Sequence, residues 1–384
     1  MIFALWIVLV ANVDSSFQNL ACGAQANEAL FYDGPPEYPH TAAGAEALSI
    51  RGRAGQSHIE IAKFTAKKNV HRASREVILS SRDGGKTWEE EREEGPRTEP
   101  RGSTAIIRST SEPVVMYKPS EGTLTRSEDG GRTWVVPKGR IEGSDATEVF
   151  EGTLNVRPHK VRVQFAAIHP SNAHTLFGSF AADIWSVDGK VSRVMLPGLY
   201  VSTDGGDNWK PFSSELTPLD ILASHPLLGI SPSDPAVMIG HSSLGLVITT
   251  NGGKDWRAVG QRDILEAPVQ IRGRQRALAK LRDSGIQLPN EPKWNGLDVY
   301  TASFHPDDAR VIYLGTSKGI YRSIDQGGSW NLLNLPFQTL YGTNSLIINR
   351  DDPREVLVGS VFGAFLSRDG GCHFNRIYPS RNSE

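Results

Sequence analysis

Cysteine is nearly missing from this chain, two residues in 384, and methionine is scarce at four. Two thiols cannot build a disulfide framework or a cysteine-rich zinc site. Positive charge is not in excess either: 41 lysines and arginines face 43 aspartates and glutamates, a formal net charge of −2. A general nucleic-acid surface needs a basic excess to neutralise phosphates, so no nucleic-acid partner is expected. The sequence lacks His-Glu-x-x-His, a phosphate-binding glycine loop, Cys-x-x-Cys and a serine nucleophile elbow. No metal or cofactor is expected on that basis.

Long apolar runs are missing too, with one short exception. Ile2–Val13 is apolar but falls short of the ~20 residues that span a bilayer. Polar residues follow, then Ala24-Gln25-Ala26, a small-x-small pattern; residues 1–26 therefore read as a signal peptide, although no Lys or Arg precedes the apolar run. The competing reading is a buried N-terminal strand or a misplaced start. Leu20-Ala21-Cys22 offers a minor route to a lipid anchor at Cys22, with Asn19 where an aliphatic residue belongs. Cleavage after Ala26 leaves Cys372 alone, and export without disulfides fits a bacterial periplasm or secretion. No transmembrane span remains after cleavage, and a monomer is expected.

Glycine and tryptophan are plentiful, at 38 and 8 residues, and they recur in register. Six octets share one pattern: Ser81–Trp88, Ser127–Trp134, Ser202–Trp209, Thr249–Trp256, Ser323–Trp330 and Ser367–Phe374. Each reads hydroxyl, x, Asp or Asn, x, Gly, x, x, aromatic. The third positions are Asp83, Asp129, Asp204, Asn251, Asp325 and Asp369; the last are Trp88, Trp134, Trp209, Trp256, Trp330 and Phe374. Asp and Asn accept backbone N–H groups and close turns, while Gly supplies positive φ. An aromatic opening the next strand then buries ~150–250 Å². Folding accounts for every position. A calcium loop would need several spaced carboxylates, more than an octet offers.

Apolar residues alternate ahead of each octet, and that period of two signals β-strand. The fifth repeat reads as Val299–His305, Val311–Thr316, Gly319–Ser323 and Ser329–Leu333, four antiparallel strands. The octets resemble the Asp-box, or BNR, repeat of sialidases, sortilin ectodomains, xyloglucanase-type glycosidases and photosystem II assembly factors. That resemblance implies an all-β chain, a β-propeller of four-stranded antiparallel blades. It covers about residues 57–378 and implies no single activity, because those proteins do unrelated things.

Successive third positions lie 46, 75, 47, 74 and 44 residues apart. One blade takes about 46, and the two long intervals carry surplus in separate stretches. Six blades are expected, with seven as the alternative. The organisation reads as 27–56 an N-terminal extension whose Ala29–Tyr32 is a candidate closing strand, 57–378 the propeller, and 379–384 a tail. Insertions fall at 139–160, 180–198 and 259–297, all assigned to the rim opposite the octets. Gln270–Gly285 reads as a short helix with an apolar stripe of Ala277, Leu278 and Leu281.

Variable loops on a rigid scaffold are where binding residues collect. The first strands begin at that rim, which points to Arg101, Arg162, Gln164, His225, Tyr300 and Asn344 as ligand-binding candidates. The carboxylates there are Asp298, Asp220 and Glu60, the only reasonable pair members for a glycoside hydrolase, which needs two carboxyl groups at a fixed separation. The sialidase resemblance implies three arginines and a Tyr nucleophile. Arg101, Arg162 and Tyr300 match in kind, but Ser49-Ile50-Arg51-Gly52 stands where Arg-Ile-Pro belongs and a third arginine is missing. Whether Ala47–Arg53 or His58–Phe64 is the first blade's inner strand stays open. His169-Pro170 and His305-Pro306 recur at equivalent strand ends, where a structural role is expected. An exported protein binding a glycan or an extracytoplasmic protein is the leading reading. A glycoside hydrolase and a membrane-complex assembly factor are the alternatives.

Overall fold

The structure is a computed structural model that describes residues 43–65, 76–94, 107–109, 111–120, 123–142, 146–154, 158, 160–185, 191–196, 198–212, 227–242, 245–259, 299–316, 319–333, 335, 343–360 and 363–378. Its first sheet joins β1 (Ala43–Arg51), β2 (His58–Thr65), β3 (Glu76–Ser81) and β4 (Glu89–Glu94) in chain order. The second holds β5 (Ile107–Arg108), β6 (Met116–Ser120) and β7 (Thr123–Ser127), with a single bridge from Arg126 to Val135 where a fourth strand would lie. Next come β8 (Arg140–Ile141), helix α1 (Ala146–Leu154), β9 (Lys160–His169), β10 (Asn172–Trp185), β11 (Val191–Met195), β12 (Tyr200–Ser202) and β13 (Asn208–Pro211). Those seven elements supply the third sheet, of six strands.

The remaining three sheets are four-stranded and run in chain order. The fourth is β14 (Leu227–Ile230), β15 (Met238–Ser242), β16 (Gly245–Thr249) and β17 (Arg257–Ala258). The fifth is β18 (Val299–Phe304), β19 (Ile312–Thr316), β20 (Gly319–Ser323) and β21 (Asn331–Leu332), within two residues of the strands read from sequence. The sixth is β22 (Thr343–Ile348), β23 (Val356–Ser360), β24 (Gly363–Ser367) and β25 (Asn375–Tyr378). All pairings are antiparallel except that of β8 with β13.

Five apolar clusters fasten these sheets face to face, each shared by two neighbours. Tyr117 and Leu124 meet Leu176, Phe180 and Trp209 between the second and third sheets. Phe177 and Leu199 meet Leu227 and Met238 between the third and fourth. Ile239 and Ile248 meet Ile312 and Trp330, and Tyr313 meets Leu346 and Val358. Ile59 and Ile61 meet Leu357 and Leu366, so the last sheet packs on the first. Five neighbour relations between sheets, including the last on the first, are therefore present among the described residues. Strands such as β19 and β23 are buried at every position because each of their faces serves a different neighbour.

The octets occupy the turn between third and fourth strands, as expected. Ser81 Oγ accepts the Gly85 N–H at 2.8 Å and donates to Asp83 Oδ1 at 2.8 Å, while Asp83 accepts the N–H of Thr87 at 3.0 Å and its hydroxyl at 2.6 Å. The same set recurs around Asp129, Asp204, Asp325 and Asp369. Those bonds, the Thr87 hydroxyl first, hold the Asp83 carboxyl well below the usual range. Gly85 sits at φ 87°, with Ile377 side-chain atoms 3.0 Å from where a Cβ would be. Trp209, Trp330 and Phe374 are buried, whereas Trp88, Trp134 and Trp256 are half-buried.

A second recurring turn lies at the same end, between first and second strands. His169 Nδ1 accepts the Ser171 N–H and His305 Nδ1 the Asp307 N–H, each at 3.2 Å; Ser109, Ser231 and Asn349 cap their turns alike. The octet's first Gly then donates into this turn, as Gly130 does to Val114 O and Gly370 to Arg354 O. The histidines are thus turn caps.

Several expectations need correction. The first sheet starts at Ala43 rather than at 57, because Ala43–Arg51 pairs along its length with β2. Insertion 180–198 is not a loop: Ala181–Trp185 prolong β10 and pair with Val191–Met195. Insertion 139–160 starts at the octet end, where Lys138 N donates to Asp207 Oδ1 and Gly139 N to Gly206 O, before α1 forms. Ala29–Tyr32, the 259–297 insertion beyond Val259 and the helix read over Gln270–Gly285 lie outside the described residues. Cys372 is disulfide-bonded rather than a lone thiol; the chain's other cysteine, Cys22, lies outside the described residues.

Candidate functional site

The end of the sheets opposite the octets carries two features that the repeat does not require. The first is a β-bulge in each of five first strands. Ala47 pairs with Ile61 and Ser49 with Glu60, leaving Leu48 extra on β1. In the same way Gln164 is extra on β9, Leu228 on β14, Tyr300 on β18 and Asn344 on β22. A bulge adds one residue, bends the strand and re-aims a side chain, and bulges gather beside binding sites. Three of the nine site candidates read from sequence are thus bulge residues on three different sheets.

The second feature is an arm. β10 runs 14 residues where β15, β19 and β23 run five. Its register matches Leu176 to Ile312 and Val356, so residues 181–185 extend past the ends of β19 and β23, by about 16 Å at ~3.3 Å per residue. Lys160–Val163 flank it on one side and Val191–Met195 on the other. One face of the arm holds Phe180 and Ala182 and joins the cluster shared with the second sheet, against which Val149 of α1 packs. The other face continues from Phe177, which packs toward the fourth sheet. On that face Asp183 stands in register between Lys160 and Arg193, and Arg162 lies in register with Ala181. Asp183 is 7% exposed.

Glu60 departs from the place read for it. It lies on β2, the second strand, and accepts the Ser49 hydroxyl at 2.7 Å within the first sheet. β1 is the inner strand, which decides the ambiguity at the first blade. Arg162 and Gln164 lie on β9, Tyr300 on β18 and Asn344 on β22. Asp298, Asp220, His225 and Arg101 lie outside the described residues. No group of His, Cys, Asp and Glu side chains able to hold a metal converges among the described residues, and no helix there is long and apolar enough to cross a membrane.

Sequence reasoning missed two sets of residues. One is the seventh octet position, Thr87, Thr133, Asn208, Asp255, Ser329 and His373, whose side chain closes onto the third. At the fourth octet the pair is reversed, Asn251 Nδ2 donating to Asp255 Oδ2 at 2.7 Å. Its constant hydrogen-bonding capacity was the available signal. The other is Asp183, which looked like part of a loop.

Residues 200–211, from Tyr200 through the third octet to Pro211, match the family model of the BNR/Asp-box repeat. The chain carries a BNR/Asp-box repeat. No curated protein matches it in sequence. Among solved structures this Asp-box chain is similar to a GH74 xyloglucanase from Xanthomonas campestris at 14% identity and TM-score 0.43, over 86% of this chain and 53% of that one. It is similar to YCF48 from Cyanidioschyzon merolae at 16% identity and TM-score 0.32, over 71% and 83% of the two chains. A third similarity, at 10% identity and TM-score 0.40, is to the extracellular domain of a one-component system from B. thetaiotaomicron, over 86% and 40%. The Asp-box chain spans about half the length of the xyloglucanase it resembles.

Proposed function

We propose that this protein is an exported, six-bladed Asp-box propeller that binds a glycan or an extracytoplasmic protein at the end opposite its octets. The observation that supports the reading is the row of bulges, in which Gln164, Tyr300 and Asn344 are the extra residues on the first strands of the third, fifth and sixth sheets. Two carboxamides and a phenol suit hydroxylated ligands: an amide donates and accepts at once, and a Tyr ring offers an apolar face with a polar tip. Six sheets, with five shared clusters joining neighbours, support the blade number.

Glu60 favours binding over hydrolysis, since its bond to Ser49 ties it into the first sheet. A hydrolase would then rest on Asp298 with Asp220.

The test uses purified full-length protein on a panel of plant and bacterial polysaccharides, with an envelope extract alongside. Retention of one polysaccharide, weakened at least tenfold by Q164A/Y300A/N344A, is expected. Undiminished retention by that variant overturns the site. Turnover of an aryl glycoside or polysaccharide that Asp298→Asn abolishes replaces binding with hydrolysis. Capture of membrane proteins with silence in both glycan assays points instead to an assembly role.

A further inference from the structure

In four of the six sheets the turn between first and second strands follows one backbone plan, and one of the four departs from it in its side chain. The residue that opens the second strand is Val115, Val237 and Val311 in the second, fourth and fifth sheets; each is buried and donates its N–H to a carbonyl three residues back. In the sixth sheet that position is Glu355, making the same backbone bond to Asp352 O. Glu355 is 0% exposed. A carboxylate where the repeat elsewhere places valine is costly to bury unless it is fully partnered.

Its partners come from both sides of the junction between the last sheet and the first. Ser57 Oγ, from the first sheet's turn, donates to Glu355 Oε1 at 3.2 Å. Asn349 Nδ2 donates to Glu355 Oε2 at 2.9 Å and to Gly52 O at 2.7 Å. Arg368 Nε lies 3.4 Å from Glu355 Oε1, and its Nη2 donates to Gly84 O of the first octet at 2.9 Å. Gly52 N donates to Asp351 Oδ2 at 2.6 Å, and Trp88 Nε1 to Ile377 O at 3.0 Å.

This junction differs from the others in connectivity as well. Neighbouring sheets elsewhere are joined by the chain running from one to the next. The first sheet takes all four strands from 43–94 and the sixth takes all four from 343–378, so among the described residues no strand crosses between them. The alignment of these two sheets rests on side chains, and apolar contacts alone fix alignment weakly because they are non-directional.

We propose that Glu355 is the centre of a clasp that sets the register of the last sheet on the first, and that this junction is where the ring opens first. A buried charge tolerates one geometry and penalises slippage, which is the best-attested use of such groups. The clasp adds specificity rather than bulk stability, since a well-packed apolar substitute costs little in free energy.

Hydrogen exchange by mass spectrometry on the full chain tests this, using Asn349→Ala, which strips a partner from the carboxylate, and Glu355→Val, which restores the repeat's own residue. In both variants amides of β1, β23 and β24 should exchange at least tenfold faster, while β15, β16, β19 and β20 keep wild-type protection. Glu355→Val should retain its urea midpoint, so a folding failure of Asn349→Ala leaves the readout intact. Wild-type protection at β1 and β23 in Glu355→Val overturns the proposal. So does faster exchange spread evenly over all sheets.

Discussion

At the scale of single residues the octet is a closed hydrogen-bonded loop that tolerates several chemistries at its seventh position, so long as that residue complements the third. Five octets put the carboxylate at the third position, and the fourth puts it at the seventh, Asp255, opposite Asn251. Complementarity rather than identity is what the loop needs. Asn251→Asp would face two carboxylates across a gap now closed at 2.7 Å. It should destabilise the protein by roughly 1–2 kcal/mol, through a lost bond and like-charge repulsion at an exposed site. The double variant Asn251→Asp/Asp255→Asn rebuilds the arrangement of the other octets and should recover most of that loss. Urea denaturation of the two single variants and the double closes the cycle, and equal additive losses would refute complementarity.

At the scale of elements the departures from the repeat are more informative than the repeat. The second sheet keeps three strands because the chain after Trp134 makes one bridge at Val135 and then leaves to pair β8 in parallel with the next sheet's β13. α1 follows, with Ala146 and Val149 packed on the cluster between the second and third sheets, which supports the base of the arm. A charge at Val149 would have to leave that contact. Val149→Asp should cost about 1–3 kcal/mol, since a polar group would be buried without a partner. The loss should be local: protease sensitivity rises within 142–158, and the fifth and sixth sheets keep their exchange protection. Unchanged cleavage there would mean that α1 does not depend on its apolar side.

Across the whole molecule, the octet carboxylates act together through their charge. Asp83, Asp129, Asp204, Asp325 and Asp369 are all held below the ordinary value of 3.8, by hydrogen bonds that outweigh the opposing effect of burial. A native value below the unfolded one means that the unfolded chain binds protons first on acidification. Their contribution is complete above the unfolded value and disappears as pH falls through the native ones. His169 and His305 are also lowered, by burial, from 6.5. They prefer the neutral form when folded, so protonation in the unfolded chain erodes stability below about pH 6.5. The urea midpoint should therefore be level near pH 7–8, decline gently below 6.5 and fall steeply below 4. Substituting Asp83 by Asn should flatten only the acid limb; flattening of the upper limb instead would refute this assignment.

The octets determine the class of fold on their own, because each is a local structure: hydroxyl, carboxylate or carboxamide, glycine and aromatic close a turn within eight residues. Strand order within a sheet followed from the same spacing. That Gln164, Tyr300 and Asn344 lie on first strands was legible as well, from the strand period. Their bulges were not, because a bulge is defined by the register of two strands and leaves no mark in one. Asp183 was hidden for a related reason: Phe180–Gly198 has the composition of a loop, and only pairing with Lys160–Val163 and Val191–Met195 makes it an arm. Glu355 reads as an ordinary surface glutamate in sequence. Its burial depends on Ser57, almost three hundred residues away, and that meeting of last sheet with first is decided by tertiary packing.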